Sequence, residues 1–228
     1  MIRRMPFVLA AALVCALAAV ALAATHYSAG PLPSKTGAPA LGSHPEEPNC
    51  TQCHLSFDNE AQPIPNLNVA GGHVSVLDLP SYWVPGRTYT LRVELACDSS
   101  AVAILPRWGF QLTAYDAATG AGAGTFAVRD PDTVQVVSSP SGPWADRSYV
   151  EHGPFGNHDG ALGPVTWSFD WTAPAAPAGT IVFAVAGNAA NGSEEPSGDW
   201  IYTATASVLD TTTGVRRVSW GEVKRGRR

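Results

Sequence analysis

The chain has 228 residues, with 14 Lys and Arg against 19 Asp and Glu and a formal net charge of −5 at pH 7. Residues 1–23 hold two basic side chains and no acidic ones, so the remainder stands at −7; six basic residues and one acidic one follow position 215, which leaves residues 24–215 at −12. So acidic a body excludes nucleic acid as the main partner, and the length suits one domain with a core of ordinary size.

The chain opens as a secretory signal peptide over residues 1–23. Arg3 and Arg4 supply a basic start, residues 7–20 are almost purely Ala, Leu and Val, and Ala21-Leu22-Ala23 offers a small-x-small cleavage site. The apolar run is short for a membrane span, so no transmembrane anchor is expected after cleavage. Cys15 follows Val14, where a lipidation signal wants a small residue. Residues 24–49 form a leader rich in Pro, Gly, Ala and Ser without periodicity, which the fold is expected to tie down only in part.

The segment over 50–66 begins with Cys50-Thr51-Gln52-Cys53-His54. C-x-x-C-H is the attachment pattern of c-type haem: two thiols form thioethers with the macrocycle and the adjacent imidazole reaches the iron. Cys50 and Cys53 are thus the candidate anchors and His54 the candidate proximal ligand of one covalent haem c. Other uses of the pattern stay open. A thioredoxin-like pair needs a helix N-terminus in a βαβ setting, whereas Pro45, Pro48 and Asn49 precede the motif with no strand before it. A closed zinc site needs a second ligand pair, and beyond the signal peptide the only other cysteine is Cys97. A disulfide spanning two residues is an uncommon staple; a bond from Cys97 to Cys50 or Cys53 is the other way to use these thiols. If haem takes both, Cys97 is a free thiol at the end of a strand.

Loss of the signal peptide removes Met1 and Met5, the only methionines. A methionine sulfur on the sixth iron position is therefore excluded, leaving a histidine from His26, His44, His73, His152 and His158, or an open position. A second imidazole favours ferric iron and a lower potential than methionine would give.

From residue 67 to 212 the sequence reads as an all-β, antiparallel sandwich. Residues 73–77 and 89–95 alternate; 108–115 alternates with aromatic anchors; 133–137 is a short β-branched run. Residues 166–172 have strict period two, with Trp167, Phe169 and Trp171 on one face, a stripe most simply explained as core. Residues 180–186 are apolar throughout, as in a central strand, and 201–209 alternate again. Gly- and Pro-rich turns separate these runs, and no helical periodicity intervenes. Residues 213–228 form a basic tail, either a solvated end or a contact for an acidic surface.

Several landmarks occur in a familiar order: Tyr82-Trp83-Val84-Pro85-Gly86-Arg87-Thr88-Tyr89, Trp108-Gly109-Phe110-Gln111-Leu112, Tyr149-Val150-Glu151-His152, Trp167 to Pro174, and Gly187-Asn188-Ala189-Ala190-Asn191-Gly192. Over residues 37–209 they resemble reeler-like (reelin N-terminal-like) sandwich domains, in particular the bacterial choice-of-anchor V group, which places a G-A-P…C-x-x-C-H segment before the sandwich, as Gly37-Ala38-Pro39 and Cys50 to His54 do here. The resemblance implies an immunoglobulin-like, reeler-type β-sandwich with an irregular N-terminal haem segment, exported to the periplasm or cell surface, and implies no enzymatic activity. The chain departs from that group in lacking an anchoring helix or sorting module. Its landmarks rank the histidines: His152 is the first candidate for the distal iron ligand, then His158, then His73. The expected function is single-electron transfer by a monohaem cytochrome, with a redox protein of the cell envelope as partner. The alternatives are an adhesion or matrix-binding module whose C-x-x-C is a disulfide or metal clip, and a haem sensor or peroxidase with an open sixth position.

Overall fold

The computed structural model describes residues 28–54, 66–98, 106–193 and 195–211. The expected signal peptide, His26 and the basic tail lie outside them. Among the described residues ten strands form two sheets: β1 (Gly72–Leu77), β2 (Tyr82–Trp83), β3 (Thr88–Cys97), β4 (Arg107–Asp116), β5 (Thr125–Val128), β6 (Val134–Ser138), β7 (Ser148–His152), β8 (Val165–Thr172), β9 (Thr180–Ala190) and β10 (Trp200–Asp210). One sheet has the order β1-β3-β8-β5 and the other β2-β10-β9-β4-β7-β6. Every pairing is antiparallel except the short β10–β2 contact. The molecule is the expected all-β sandwich.

The core follows from period-two alternation. β8 buries Val165, Trp167, Phe169 and Trp171 while the residues between them face outward. These side chains and Leu91, Val93 and Leu95 of β3 meet Phe110, Leu112, Phe183 and Val185 of the opposite sheet. Ring centroids lie 4.6 Å apart for Phe110–Trp167 and 5.0 Å for Trp171–Phe183. The aromatic stripe is thus core. β9, the apolar run, lies between β10 and β4, hydrogen-bonded on both sides.

β4 is buried on both faces from Trp108 to Tyr115, because the leader covers the outer face of its sheet. Ala38 packs on Tyr115 and Ala184. Gln111 holds the leader by two bonds: its Oε1 accepts from Lys35 N at 2.6 Å and its Nε2 donates to Leu32 O at 3.0 Å. Farther along, Glu47 is buried and accepts from Arg147 Nη1 at 2.8 Å, Tyr149 Oη at 2.8 Å and Thr36 Oγ1 at 2.6 Å. Arg147 also donates to Gly120 O through Nε and Nη2, at 3.0 and 2.7 Å, and stacks 4.6 Å over Tyr115. Every polar group of this buried pair is engaged, the condition under which such a pair holds its place without an uncompensated charge. Residues 28–49 are therefore a fixed layer on the sandwich, more firmly bound than their composition suggests.

Candidate functional site

The motif sits where the leader ends. Asn49 caps a single 3-10 turn, Cys50–Gln52, by accepting Thr51 N on its Oδ1 at 2.9 Å. His54 N and Cys53 N both return to Cys50 O, at 2.8 and 3.2 Å. This tight turn brings Cys50, Cys53 and His54 to the wall of one cavity of about 550 Å³, within the usual range for small-molecule and cofactor sites. The other walls come from one end of the six-stranded sheet, where β4 and β10 begin and β7 and β9 finish. Trp108, Gly109 and Phe110 of β4, Asn188 of β9 and Pro31 and Leu32 of the leader line the cavity.

His54 is oriented from across the fold. Its Nδ1 lies 2.5 Å from Oδ2 of Asp199, a side chain 2% exposed whose Oδ1 accepts Asn191 N at 2.9 Å. Asn66 bridges the same pieces, donating from Nδ2 to His54 O and Asp199 O at 3.2 and 2.8 Å. A carboxylate on Nδ1 fixes the proton there and leaves the Nε2 lone pair for a metal, the arrangement that supports ligating histidines generally. Asn188 Nδ2 stands 3.2 Å from both ring nitrogens, so it is aimed at neither lone pair. Its own Oδ1 is buried with no partner among the described residues.

His152 reaches the same cavity from the end of β7. The β4–β7 ladder stops at the Gln111–Glu151 pair. Beyond it the imidazole replaces the missing strand: Phe110 N donates to His152 Nδ1 at 3.2 Å. The ring lies against Gly109, where an added Cβ would be 2.7 Å from its Cε1. Gly109 is the register partner of Asn188, which contacts His54, so both imidazoles converge on one spot of the sheet. Burial pushes the His152 pKa down to about 4, with the Phe110 carbonyl, 3.4 Å from Nδ1, opposing it and His54 adding to it; the ring is neutral near pH 7.

The other histidines are placed elsewhere. His44 Nε2 pairs with Asp146 at 3.1 Å, His73 is exposed beside Glu94, and His158 packs 5.0 Å from Trp167 outside the cavity lining. Cys97 ends β3, half-buried, 3.5 Å from Tyr202 Oη. Cys50, Cys53 and Cys97 are all free thiols. The surrounding walls push the Cys50 pKa up to about 12 through desolvation. That is the opposite of the lowered thiol that a thioredoxin-like pair uses. Among the described residues no three His, Cys, Asp or Glu side chains are grouped to hold a metal ion, so a closed zinc clip is not assembled there. The donor set does fit a haem that is bound through carbon at two neutral thiols and through iron at one imidazole. Asp199 and Asn188 have no site role legible in the sequence; they lie 145 and 134 positions from His54, where spacing carries no signal.

No family model and no curated protein matches the chain. Solved structures with similar architecture include the human F-spondin reeler domain, at 18% identity and TM-score 0.37 over 62% of this chain and 89% of that one. A cohesin module from a Clostridium perfringens family 33 glycoside hydrolase gives 9%, 0.39, 62% and 98%, respectively. AvmM, which catalyses macrocyclization in alchivemycin A biosynthesis, gives 11%, 0.40, 67% and 93%. These likenesses carry nothing about the chemistry of this chain.

Proposed function

We propose that the chain is an exported monohaem c-type protein that serves single-electron transfer. The observation that carries this reading is the convergence of Cys50, Cys53 and a carboxylate-oriented His54 on one cavity. Cys50 and Cys53 are the thioether anchors and His54 Nε2 is the protein ligand to iron. The bound haem supplies a ferric–ferrous couple. The chain's own part is to hold that group and tune it. Asp199 keeps the proton on His54 Nδ1 and makes the imidazole a stronger donor, which favours ferric iron. The fixed leader holds the motif against the sheet through Gln111 and Glu47. The protein is read as a carrier and not as an enzyme. A redox protein of the cell envelope is the partner.

Export is read from the N-terminal signal pattern. No helix among the described residues is long and apolar enough to cross a membrane.

The test is to express the full chain with its signal in a host that attaches haem c. An absorption spectrum with a sharp reduced α band, and a pyridine haemochrome that stays with the protein after acid–acetone extraction, are expected. Replacing Cys50 and Cys53 by Ala should release the pigment. A colourless wild-type protein would end the cytochrome reading and leave an adhesion module with free thiols.

A further inference from the structure

We propose that His152 is not an iron ligand but a hydrogen-bond donor to a small molecule held at an open sixth position. The inference rests on the haem reading above and concerns the opposite use of the same cavity. A neutral imidazole has one donor and one acceptor nitrogen. Because Phe110 N donates to His152 Nδ1 at 3.2 Å, Nδ1 must be the acceptor and Nε2 carries the proton. Ligation by Nε2 requires its lone pair, hence the other tautomer, which would set two N–H groups against each other at Phe110. The alternative partner of Nδ1, Phe110 O, is farther away at 3.4 Å.

Three features make this a built arrangement. The histidine is 7% exposed and lines the cavity. Its Nε2 has no protein partner among the described residues. Gly109 leaves the space that the ring occupies, since a Cβ there would be 2.7 Å from Cε1 and 3.1 Å from Nδ1. Phe110 N has lost its strand partner at the end of the β4–β7 ladder, so turning the imidazole over would orphan a buried backbone donor, a costly exchange. A fixed N–H on a side chain that lines the cavity suits a ligand with a partly negative outer atom: dioxygen, peroxide or an anion such as cyanide.

The test uses the haem-loaded full chain and three readings. In the ferrous protein saturated with carbon monoxide, which is diamagnetic, 15N NMR should find the His152 proton on Nε2. The ferric protein should bind cyanide. His152→Ala should weaken that binding about tenfold or more, the scale of one hydrogen bond to a charged group, and raise the C–O stretch of the carbonyl complex, while His152→Gln, which keeps a donor, recovers part of both. Far-ultraviolet circular dichroism checks that each variant is folded, and the NMR reading on the wild type needs no variant. A wild-type protein that refuses carbon monoxide and cyanide, with a low-spin spectrum that His152→Ala turns high-spin, would overturn the proposal and make His152 a ligand. Loss of all covalent pigment would instead defeat the haem reading; the tautomer of His152 in that colourless protein would still be read by 15N NMR, and a proton on Nδ1 would overturn this inference independently.

Discussion

His54 Nδ1 and Asp199 Oδ2 are 2.5 Å apart although 145 positions separate them in the chain. The carboxylate is itself held by Asn191 N, so the imidazole is oriented by a rigid group and not by a mobile surface acid. In the haem-loaded protein, Asp199→Asn removes the charge while keeping the shape. A weaker His54 donor stabilises ferric iron less, so the reduction potential rises. A tenfold change in the ferric-to-ferrous preference corresponds to about 59 mV for one electron, and a rise of that order is expected in a spectroelectrochemical titration. A potential that stays unchanged or falls would show that Asp199 does not tune the proximal ligand.

The Glu47–Arg147 pair predicts how the leader is fixed. Both side chains are fully enclosed and 2.8 Å apart. Arg147→Ala leaves Glu47 with a buried charge, and breaking such a pair costs about 3–5 kcal/mol. Denaturant unfolding should show a loss of that order, and limited proteolysis should cut residues 28–49 first while the sheets stay protected. Adding Glu47→Gln to Arg147→Ala should restore part of the loss, because the two act as one unit. If the losses simply add, the pair is not coupled.

The sandwich was legible where burial on one face imposes strict alternation. The period-two run at 166–172 predicts a strand with three aromatics on one face, and β8 buries those three. β5 was missed: its four residues, Thr125–Val128, lie on an edge and are mostly exposed, so no alternation marks them. β7 was seen only as a landmark containing Tyr149, since all but the first of its residues are buried. The order of the leader is hidden in the sequence for a different reason. Its order depends on Glu47 meeting Arg147 and Tyr149, about a hundred positions away, and no local pattern announces that. The C-x-x-C-H run over Cys50, Cys53 and His54 is legible because its spacing is local. His152 was visible through its landmark, but its tautomer depends on where the β4–β7 ladder stops.

Core packing at a turn gives another test. Gly124 has φ +79, and a Cβ there would collide with Thr172 O and Trp171 Nε1. Trp171 is buried, donates through Nε1 to Ala123 O at 3.1 Å and meets Phe183 edge-on. Gly124→Ala therefore carries both a strained backbone and a displaced indole. A loss of at least about 2 kcal/mol is expected in thermal or denaturant unfolding. A variant as stable as the wild type would mean that the turn rearranges freely.

Glu151 supplies a pH dependence of stability with a definite sign. It is 1% exposed, and desolvation raises its pKa from 4.5 to about 7, against the opposing hydrogen bonds of Gln111 and Gln135 at 2.6 and 2.9 Å. The folded state then binds more protons than the unfolded state between those values, so stability falls as pH rises from about 4.5 to about 7 and is flat above. His152 works the other way: its lowered value means that the folded state binds fewer protons between about 4 and 6.5, so its contribution grows with pH there. The two slopes oppose each other in the wild type, and only their difference is visible. Glu151→Gln removes one of them. Its stability, measured by denaturant unfolding from pH 5 to 7.5, should rise relative to the wild type as pH increases, by up to about 3 kcal/mol at 1.36 kcal/mol for each pKa unit. A constant offset between the two proteins across that range would show that Glu151 titrates normally in the fold.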